Sequence, residues 1–231
     1  MIKKVMHFGH RILTSNKFGQ NLLKKFKHTF FPGSAVYWES RYLKNGSSGD
    51  GSYGDSAKYK ADIINQFVKE NNIASVIEFG CGDGNQLMQF EFPSYIGLDV
   101  SPTAVKKCRS LFEEDSSKFF YLYNQEDYRK NWKALNAELA MSLDVIYHLV
   151  EDDVYEQYMF DLFSSASRIV IIYAWDVEGE NEYHLRHRKF SEWIERNTPG
   201  FQLIAHKKGT AAYCDFFIYG NQPGKFRNPF G

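Results

Sequence analysis

Short apolar runs alternate with amphipathic segments over most of the chain beyond residue 75. Apolar runs of strand length lie at 75–79, 95–99, 119–123, 138–143 and 168–174. Between them, apolar residues recur at helical spacing near 85–90, 102–114, 128–135 and 151–166, and in a segment that ends near Arg196. Short runs of this kind are typical of buried strands, and the longer periodic segments are typical of helices. The alternation predicts an α/β protein with a parallel sheet and right-handed crossovers.

Local capping and turn signals refine this prediction. Ser101 and Pro102 predict a helix start, with the serine as N-cap and the proline in the first helical position. Two apolar segments near the end of the chain, 201–208 and 213–220, are separated by Gly-Thr-Ala-Ala at 209–212 and predict a β-hairpin. The hairpin places one antiparallel strand in the sheet.

The residues before the first predicted strand have a different composition. A helix is predicted from 36 to 42, and the stretch 44–54 that follows it is rich in glycine and serine. This stretch leads into a helix at 55–72 and is interpreted as a mobile loop that folds over cofactor or substrate; the alternative is a disordered linker. The chain is therefore divided into an N-terminal part, 1–54, and a domain, 55–231.

Charge is distributed unevenly, although the formal net charge is zero. Residues 1–38 contain seven lysines and arginines and no acid, so the remaining residues carry a formal charge of −7. Two basic amphipathic helices are predicted at 2–13 and 17–28. We expect them to pack on the domain and partly cap the site; the alternative is contact with an anionic membrane surface or an anionic polymer. Because the rest of the chain is acidic, no nucleic-acid partner is expected.

Cysteine usage and hydropathy bear on the compartment. Cys81, Cys108 and Cys214 are widely spaced and odd in number, which argues against a disulfide framework and a zinc site. Free thiols favour a reducing compartment, and no apolar run is long enough for a signal-peptide core or a membrane span. We therefore expect a cytoplasmic protein.

A glycine-rich segment follows the first predicted strand. Residues 78–84 are Glu-Phe-Gly-Cys-Gly-Asp-Gly, and Asp99 ends the second predicted strand. This layout places a nucleotide-like ligand at the carboxyl ends of parallel strands, where glycines let the backbone approach it and an acid accepts hydrogen bonds from ribose hydroxyls. The dinucleotide fingerprint requires a further glycine where this chain has Asn85, so a dinucleotide is disfavoured.

The E-x-G-x-G-x-G spacing, with Asp99, resembles motif I and the second acidic position of the class I S-adenosylmethionine (SAM)-dependent methyltransferases. The ammonium and sulfonium of SAM are compatible with nearby carboxylates. The resemblance covers roughly residues 57–220 and implies a three-layer, Rossmann-like, seven-stranded sheet in the order 3-2-1-4-5-7-6, with the last strand antiparallel and an N-terminal helical extension. It implies SAM as cofactor and S-adenosylhomocysteine (SAH) as product. The residues implied for cofactor binding are Glu78, Gly80, Cys81, Gly82, Asp83, Asp99, Val100 and Leu143, with Glu126 and Asp127 near the adenine amine.

Candidate catalytic groups follow the fourth and fifth predicted strands. His148 is predicted as the general base, because it lies just beyond the fourth strand at the ligand-binding edge and imidazole titrates near neutrality. The alternative for His148 is a structural hydrogen bond to backbone. Asp144 is the candidate to orient His148 or to act as the base itself, and His187 is the third catalytic candidate. The residues predicted to bind the acceptor are Tyr53, Tyr147, Trp175, His184 and Arg188.

A second, less specific resemblance concerns the acceptor. Segments 142–149 and 184–190 look similar to methyltransferases of bacterial surface-glycan and capsule synthesis, which implies O-methylation of a small or glycan-linked acceptor, either a small molecule or a saccharide. The alternatives are N-methylation of a small metabolite and a non-catalytic SAM-binding subunit. Asp152 and Asp153, with Asp144 and His148, offer ligands for magnesium. No metal is expected, because acids at 152 and 153 suit a helix start.

Overall fold

The computed structural model describes residues 31–131, 135–179, 182–209, 214–228 and 230. The basic helices predicted at 2–13 and 17–28 lie outside the described residues. Within the described part of the chain, no helix is both long and apolar enough to cross a membrane.

Helices and strands alternate as the sequence predicts. The helices are α1 (Ser34–Leu43), α2 (Gly54–Glu70), α3 (Pro102–Leu111), α4 (Gln125–Asn131), α5 (Asp152–Ser164) and α6 (Phe190–Asn197). The strands are β1 (Val76–Phe79), β2 (Tyr95–Asp99), β3 (Lys118–Leu122), β4 (Ala137–Leu143), β5 (Ala166–Ala174), β6 (Gln202–Lys208) and β7 (Asp215–Gly220). Short 3₁₀ turns lie at Asp50–Ser52, Leu87–Gln89 and Ile146–His148.

All seven strands belong to one mixed sheet in the order β3-β2-β1-β4-β5-β7-β6. Strands β1 to β5 pair in parallel, whereas β7 runs antiparallel to both β5 and β6. The implied strand order and the antiparallel last strand are therefore confirmed. In the register of the sheet, Glu78 of β1 lies between Gly97 of β2 and Met141 of β4, which brings the carboxyl ends of these three strands to one edge.

Apolar side chains cover both faces of the sheet. On one face, Ile64 and Phe67 of α2 belong to a cluster with Val76 of β1. On the other face, Met159 of α5 belongs to a cluster with Ile77 of β1. All five side chains are at most 1 % exposed, and their burial between helices and sheet produces the three layers.

Helix boundaries differ from the prediction by one to four residues, and two of the differences have structural consequences. Helix α4 begins at Gln125, ahead of the predicted 128, because the side-chain oxygen of Asn124 accepts hydrogen bonds from the backbone N–H groups of Glu126 and Asp127. The helix predicted at 85–90 is only the short turn Leu87–Gln89. The Ser101 cap is confirmed, since its hydroxyl oxygen accepts a hydrogen bond from the N–H of Ala104 at 3.0 Å.

Candidate active site

The glycine-rich turn connects β1 to the edge where β2 ends. Gly80 and Gly82 have positive φ angles of 85° and 61°. A Cβ atom at Gly80 would lie 2.5 Å from a methyl carbon of Val145, and one at Gly82 would overlap the Ser48 hydroxyl. Glycine is therefore required at both positions by backbone conformation and by close packing.

Asp99 ties this turn to the end of β2. Its carboxylate accepts hydrogen bonds from the N–H of Gly82 at 2.9 Å and of Ser101 at 2.8 Å. Burial raises the pKa of Asp99 to about 6, although both hydrogen bonds favour the ionised form. The carboxylate is thus held at the mouth of the turn, where it has remaining lone pairs for a ligand.

Glu78 lies one strand away, at the end of β1. The hydroxyl of Tyr95 donates a hydrogen bond to its carboxylate. Burial raises the pKa of Glu78 to about 7, against the opposing effects of Tyr95 and the nearby Lys60 ammonium. A cation bound beside Glu78 would favour its ionised form.

A cavity of about 230 Å³ opens at this edge of the sheet. Of the residues singled out in the sequence, those that line it are Glu78, Gly80, Cys81, Gly82, Asp99, Val100, Leu143, Asp144 and His148. Aromatic and apolar side chains form much of the remaining wall, including Trp38, Tyr42, Tyr123, Val145 and Tyr158. The structure thus brings the motif residues and two of the three catalytic candidates together.

Asp144 lies directly after β4 and has a φ of 60°, a left-handed conformation that is uncommon outside glycine. One carboxylate oxygen pairs with the Lys60 ammonium at 2.6 Å, and the other accepts a hydrogen bond from the Tyr147 hydroxyl at 3.0 Å. Burial and the Asp144 charge raise the pKa of Tyr147 well above its usual value, so Tyr147 remains a donor. Tyr147 does not line the cavity, and its hydrogen bond holds the Asp144 carboxylate in place.

His148 lies in the turn Ile146–His148 and lines the cavity. Its Nδ1 is 3.4 Å from the carbonyl oxygen of His184, and the Trp38 ring meets it edge-on with centroids 4.9 Å apart. Burial lowers the pKa of His148 to about 4, so the ring is neutral at physiological pH. If Nδ1 donates to the His184 carbonyl, Nε2 carries the lone pair that accepts a proton. The Asp144 carboxylate is bonded to Lys60 and Tyr147, and His148 Nδ1 lies beside the His184 carbonyl, so the orientation of His148 by Asp144 stays a prediction.

Helix α1 covers the cavity and is fixed by hydrogen bonds at its start and in its middle. At its start, the hydroxyl of Ser34 donates to the His148 carbonyl at 2.8 Å and its N–H donates to the Glu151 carboxylate at 2.8 Å. In its middle, Glu39 accepts hydrogen bonds from Ser101 and Thr103 at the start of α3. Helix α1 therefore links the segment that carries His148 to the segment that follows Asp99.

Hydrogen bonds to Asp83 join the glycine-rich loop after α1 to the glycine-rich turn after β1. The carboxylate of Asp83 accepts hydrogen bonds from the N–H and the hydroxyl of Ser48 and from the hydroxyl of Tyr53 at 2.7 Å. Burial opposes ionisation of Asp83, but the bonds from Tyr53 and Ser48 outweigh it and lower the pKa. Asp83 and Tyr53, predicted to bind cofactor and acceptor, do not line the cavity and instead bond to each other.

Two predicted adenine-binding residues are placed elsewhere. Because Asn124 caps α4, Glu126 and Asp127 fall in the first helical turn, where their side chains are 82 % and 74 % exposed. The Glu126 carboxylate pairs with Lys130 at 3.0 Å. Neither residue lines the cavity, and their assignment to the adenine amine stays a prediction.

The predicted acceptor residues after β5 also lie outside the cavity wall. The Arg188 guanidinium donates to the carbonyl oxygens of Leu149 and Val150 and pairs with Asp152 at 3.1 Å. Arg188 therefore stabilises the connection between β4 and α5. The same ion pair occupies Asp152, one of the candidate magnesium ligands.

The aromatic and imidazole rings of this region pack mainly on one another. The His187 ring is 4.4 Å from the Trp175 ring, and the His184 ring stacks on Tyr37 at 5.2 Å. Burial lowers the pKa of His187. As placed here, Trp175, His184 and His187 support the loop beside His148 and do not face the cavity.

Sequence reasoning missed Lys60 and Gln86, both of which line the cavity. Lys60 is three residues after Ala57 and four before Ile64, so it falls on the apolar face of α2. A lysine on the buried face of an amphipathic helix is the sequence signal that identifies such a residue. No comparable signal identifies Gln86.

Comparisons with known proteins bear on the fold. No family model matches the chain, and none of the curated proteins compared with it matches. Among solved structures, it is similar to a SAM-bound magnesium protoporphyrin IX methyltransferase from Synechocystis PCC 6803 (14 % identity, TM-score 0.57, covering 75 % of this chain and 87 % of that one). It is similar to the SAH-bound N-methyltransferase NodS from Bradyrhizobium japonicum WM9 (12 % identity, TM-score 0.59, covering 82 % of this chain and 98 % of that one). It is also similar to the SAM-bound amino pentose methyltransferase CalS10 from Micromonospora echinaspora (11 % identity, TM-score 0.58, covering 74 % of this chain and 94 % of that one). The chain has the Rossmann-like fold of these methyltransferases.

Proposed function

We propose that this protein is a SAM-dependent methyltransferase. The observation that carries the proposal is the cavity at the carboxyl ends of β1, β2 and β4, where the Gly80–Gly82 turn and the Asp99 carboxylate meet. Nucleotide-like ligands bind at this edge of such sheets. The three solved structures described above have this fold, and two have SAM and one has SAH bound.

The residues present fit a nucleoside with a cationic side arm. Asp99 has the charge and free lone pairs to accept from ribose hydroxyls, and the glycine turn lets backbone approach the ligand. Val100, Tyr123 and Tyr158 offer an apolar and aromatic wall for the adenine ring. SAM supplies a methyl group already activated by its sulfonium, so the protein's task is to align the acceptor, exclude water and receive a proton. His148 receives that proton at Nε2, and Trp38 packs beside it.

The proposed acceptor is a hydroxyl of a small or glycan-linked molecule. A hydroxyl nucleophile needs a base, and the neutral ring of His148 at the cavity wall meets this need. The saccharide assignment rests on the resemblance of segments 142–149 and 184–190. The free cysteines Cys81, Cys108 and Cys214 fit the proposed cytoplasmic location. Contact of the basic N-terminal residues with a membrane surface is proposed only on the positive charge of residues 1–38.

A second candidate is methylation of an amine. Four carboxylates line the cavity, those of Glu78, Asp99, Asp144 and Glu151, against one cation, Lys60, among the described residues of its wall. This excess of acid favours a cationic ligand. NodS is an N-methyltransferase and CalS10 methylates an amino pentose.

Calorimetry with SAH tests the cofactor, and mass spectrometry tests the reaction. The protein is incubated with SAM and two matched panels, neutral methyl glycosides and the corresponding amino sugars. Formation of SAH with a methylated hydroxyl supports the main proposal, and methylation confined to the amino sugars supports the second candidate. Absence of SAH binding contradicts both. SAH binding without product from any acceptor, including cell-extract metabolites, favours the non-catalytic subunit.

The loop at 46–54 is expected to act as a lid, because it closes on the glycine turn through the Ser48 and Tyr53 bonds to Asp83. Hydrogen exchange of its amides should slow by about tenfold or more when SAH binds. In Asp83→Ala, which removes these bonds, exchange of the loop should be fast with or without ligand. Identical exchange in the wild type with and without SAH would rule out a lid.

A further inference from the structure

The outward face of helix α1 carries a stripe of apolar side chains. Val36 is 55 % exposed and Leu43 is 65 % exposed. They are two helical turns apart, so their side chains lie on the same face of α1, and Ala35 beside Val36 is exposed as well. Single exposed apolar side chains are common on soluble proteins, but the exposed face of a surface helix is usually polar. This face therefore has the character of a contact surface.

The charged side chains of α1 are engaged with the protein and leave this face uncharged. Glu39 accepts hydrogen bonds from the hydroxyls of Ser101 and Thr103. The Nε of Arg41 donates to the carbonyl oxygen of Ser47 at 2.7 Å. Glu39 and Arg41 are the two charged residues of this helix. Helix α1 thus places its charges against the domain and its apolar stripe toward solvent, the reverse of an ordinary surface helix.

The chain that leads into α1 is strongly basic. Residues 1–30 contain seven lysines and arginines and no aspartate or glutamate. Phe31, which follows them, packs on Tyr37 of α1 with ring centroids 6.2 Å apart, so the basic stretch joins the protein beside the apolar stripe. Residues 39–231 have a formal charge of −7. An anionic surface would therefore attract this side of the protein and repel the rest, which favours a single orientation.

We propose that the outward face of α1 and the basic residues before it form a docking surface for an anionic lipid bilayer. Val36 and Leu43 enter the boundary between headgroups and acyl chains, and the lysines and arginines are attracted to the lipid phosphates. A soluble anionic polymer would satisfy the charge but not the apolar stripe. A second copy of this chain would bring the same positive charge to the contact. Because Val36 also lines the cavity, docking places the rim of the cavity at the membrane surface.

Co-sedimentation of the full-length protein with lipid vesicles tests this inference. Vesicles of phosphatidylcholine and phosphatidylglycerol should bind the protein about tenfold or more tightly than vesicles of phosphatidylcholine alone, and binding should weaken as salt is added. The double variant Val36→Ser/Leu43→Ser should bind the anionic vesicles about tenfold more weakly than the wild type, because its serines gain little from leaving water. Leu203→Ser, which changes a 52 % exposed leucine on β6, is the matched control and should bind as the wild type does.

The melting temperature of each variant is measured to show that it is folded. Absence of binding by the wild type would overturn the inference and leave residues 1–30 or a second copy as the cover of α1, which sedimentation velocity would distinguish. Wild-type vesicle binding in the folded double variant would also overturn it, because charge alone would then hold the protein, as on a soluble polyanion. These measurements need neither SAM nor SAH, so their failure does not bear on the proposed function, and a failure to bind SAH does not bear on docking.

Discussion

Replacing His148 with alanine is expected to lower turnover by about 10²- to 10³-fold, the contribution of a positioned general base. Affinity for SAH should remain within a few-fold of the wild type, because the base acts on the acceptor and not on the cofactor. The expected loss is near the lower end of the usual range, since burial lowers the pKa of His148 to about 4 and a group of low pKa is a weak base. Steady-state kinetics with the accepted substrate measures the effect.

The pH dependence of His148 gives an independent check. Because its pKa is about 4, the ring is already neutral at pH 6, and turnover should show no loss attributable to His148 between pH 8 and about pH 5.5. Folding stability conferred by the neutral buried ring should be present above the unfolded pKa near 6.5 and lost as the pH falls toward 4. His206→Ala is the matched control, because His206 is on β6, pairs with Asp215 and does not line the cavity. If His148→Ala keeps wild-type turnover, His148 is not the base. Either Asp144 is then the base or the reaction needs none.

Replacing Asp99 with alanine is expected to weaken SAH binding by about 2–3 kcal/mol, or roughly 30- to 150-fold, because ribose hydroxyls lose a charged acceptor. The substitution also leaves the N–H groups of Gly82 and Ser101 without their partner, so melting temperature must be measured with it. Asp99→Asn keeps one acceptor oxygen and separates the two effects. Asp62→Ala, an exposed acid on α2, serves as the control.

The pKa of Asp99 also predicts how the affinity for SAH changes with pH. Burial raises the pKa of Asp99 to about 6, so the carboxylate gains a proton as the pH falls through that value and SAH binding should weaken between pH 7 and pH 5. Stability has the opposite sign: an ionised buried acid is unfavourable, and its cost decreases as the pH falls below about 6. If calorimetry gives wild-type affinity for a folded Asp99→Ala protein, the ribose assignment is wrong.

Much of the fold could be predicted from the sequence because its signals are local. The apolar period along α2 and the short runs of β1 and β2 depend on residues within one or two turns of each other. The Ser101 cap is likewise a contact between neighbours in the chain. The strand order was implied by the resemblance that the glycine spacing and Asp99 carry, and it is confirmed.

The surroundings of each polar side chain depend on tertiary structure. The sequence predicts Arg188 as an acceptor-binding residue, yet its guanidinium donates to the carbonyl oxygens of the β4–α5 connection. Glu126 and Asp127 follow β3 at a suitable distance, yet the Asn124 cap turns them toward solvent. Spacing along the chain does not encode which way a loop side chain points.

By itself, the sequence determined the alternating elements, the glycine-rich turn that needs positive φ angles, and the position of Asp99 at a strand end. Only the tertiary structure decided that Lys60 meets Asp144, 84 residues away, and that Ser34 meets Glu151, 117 residues away. The physical reason is that backbone conformation follows local sterics and periodicity, whereas contacts between distant polar groups are set by how helices and sheet pack. Packing buries Lys60, keeps His148 neutral and leaves the buried Gln86 Oε1 without a donor among the described residues.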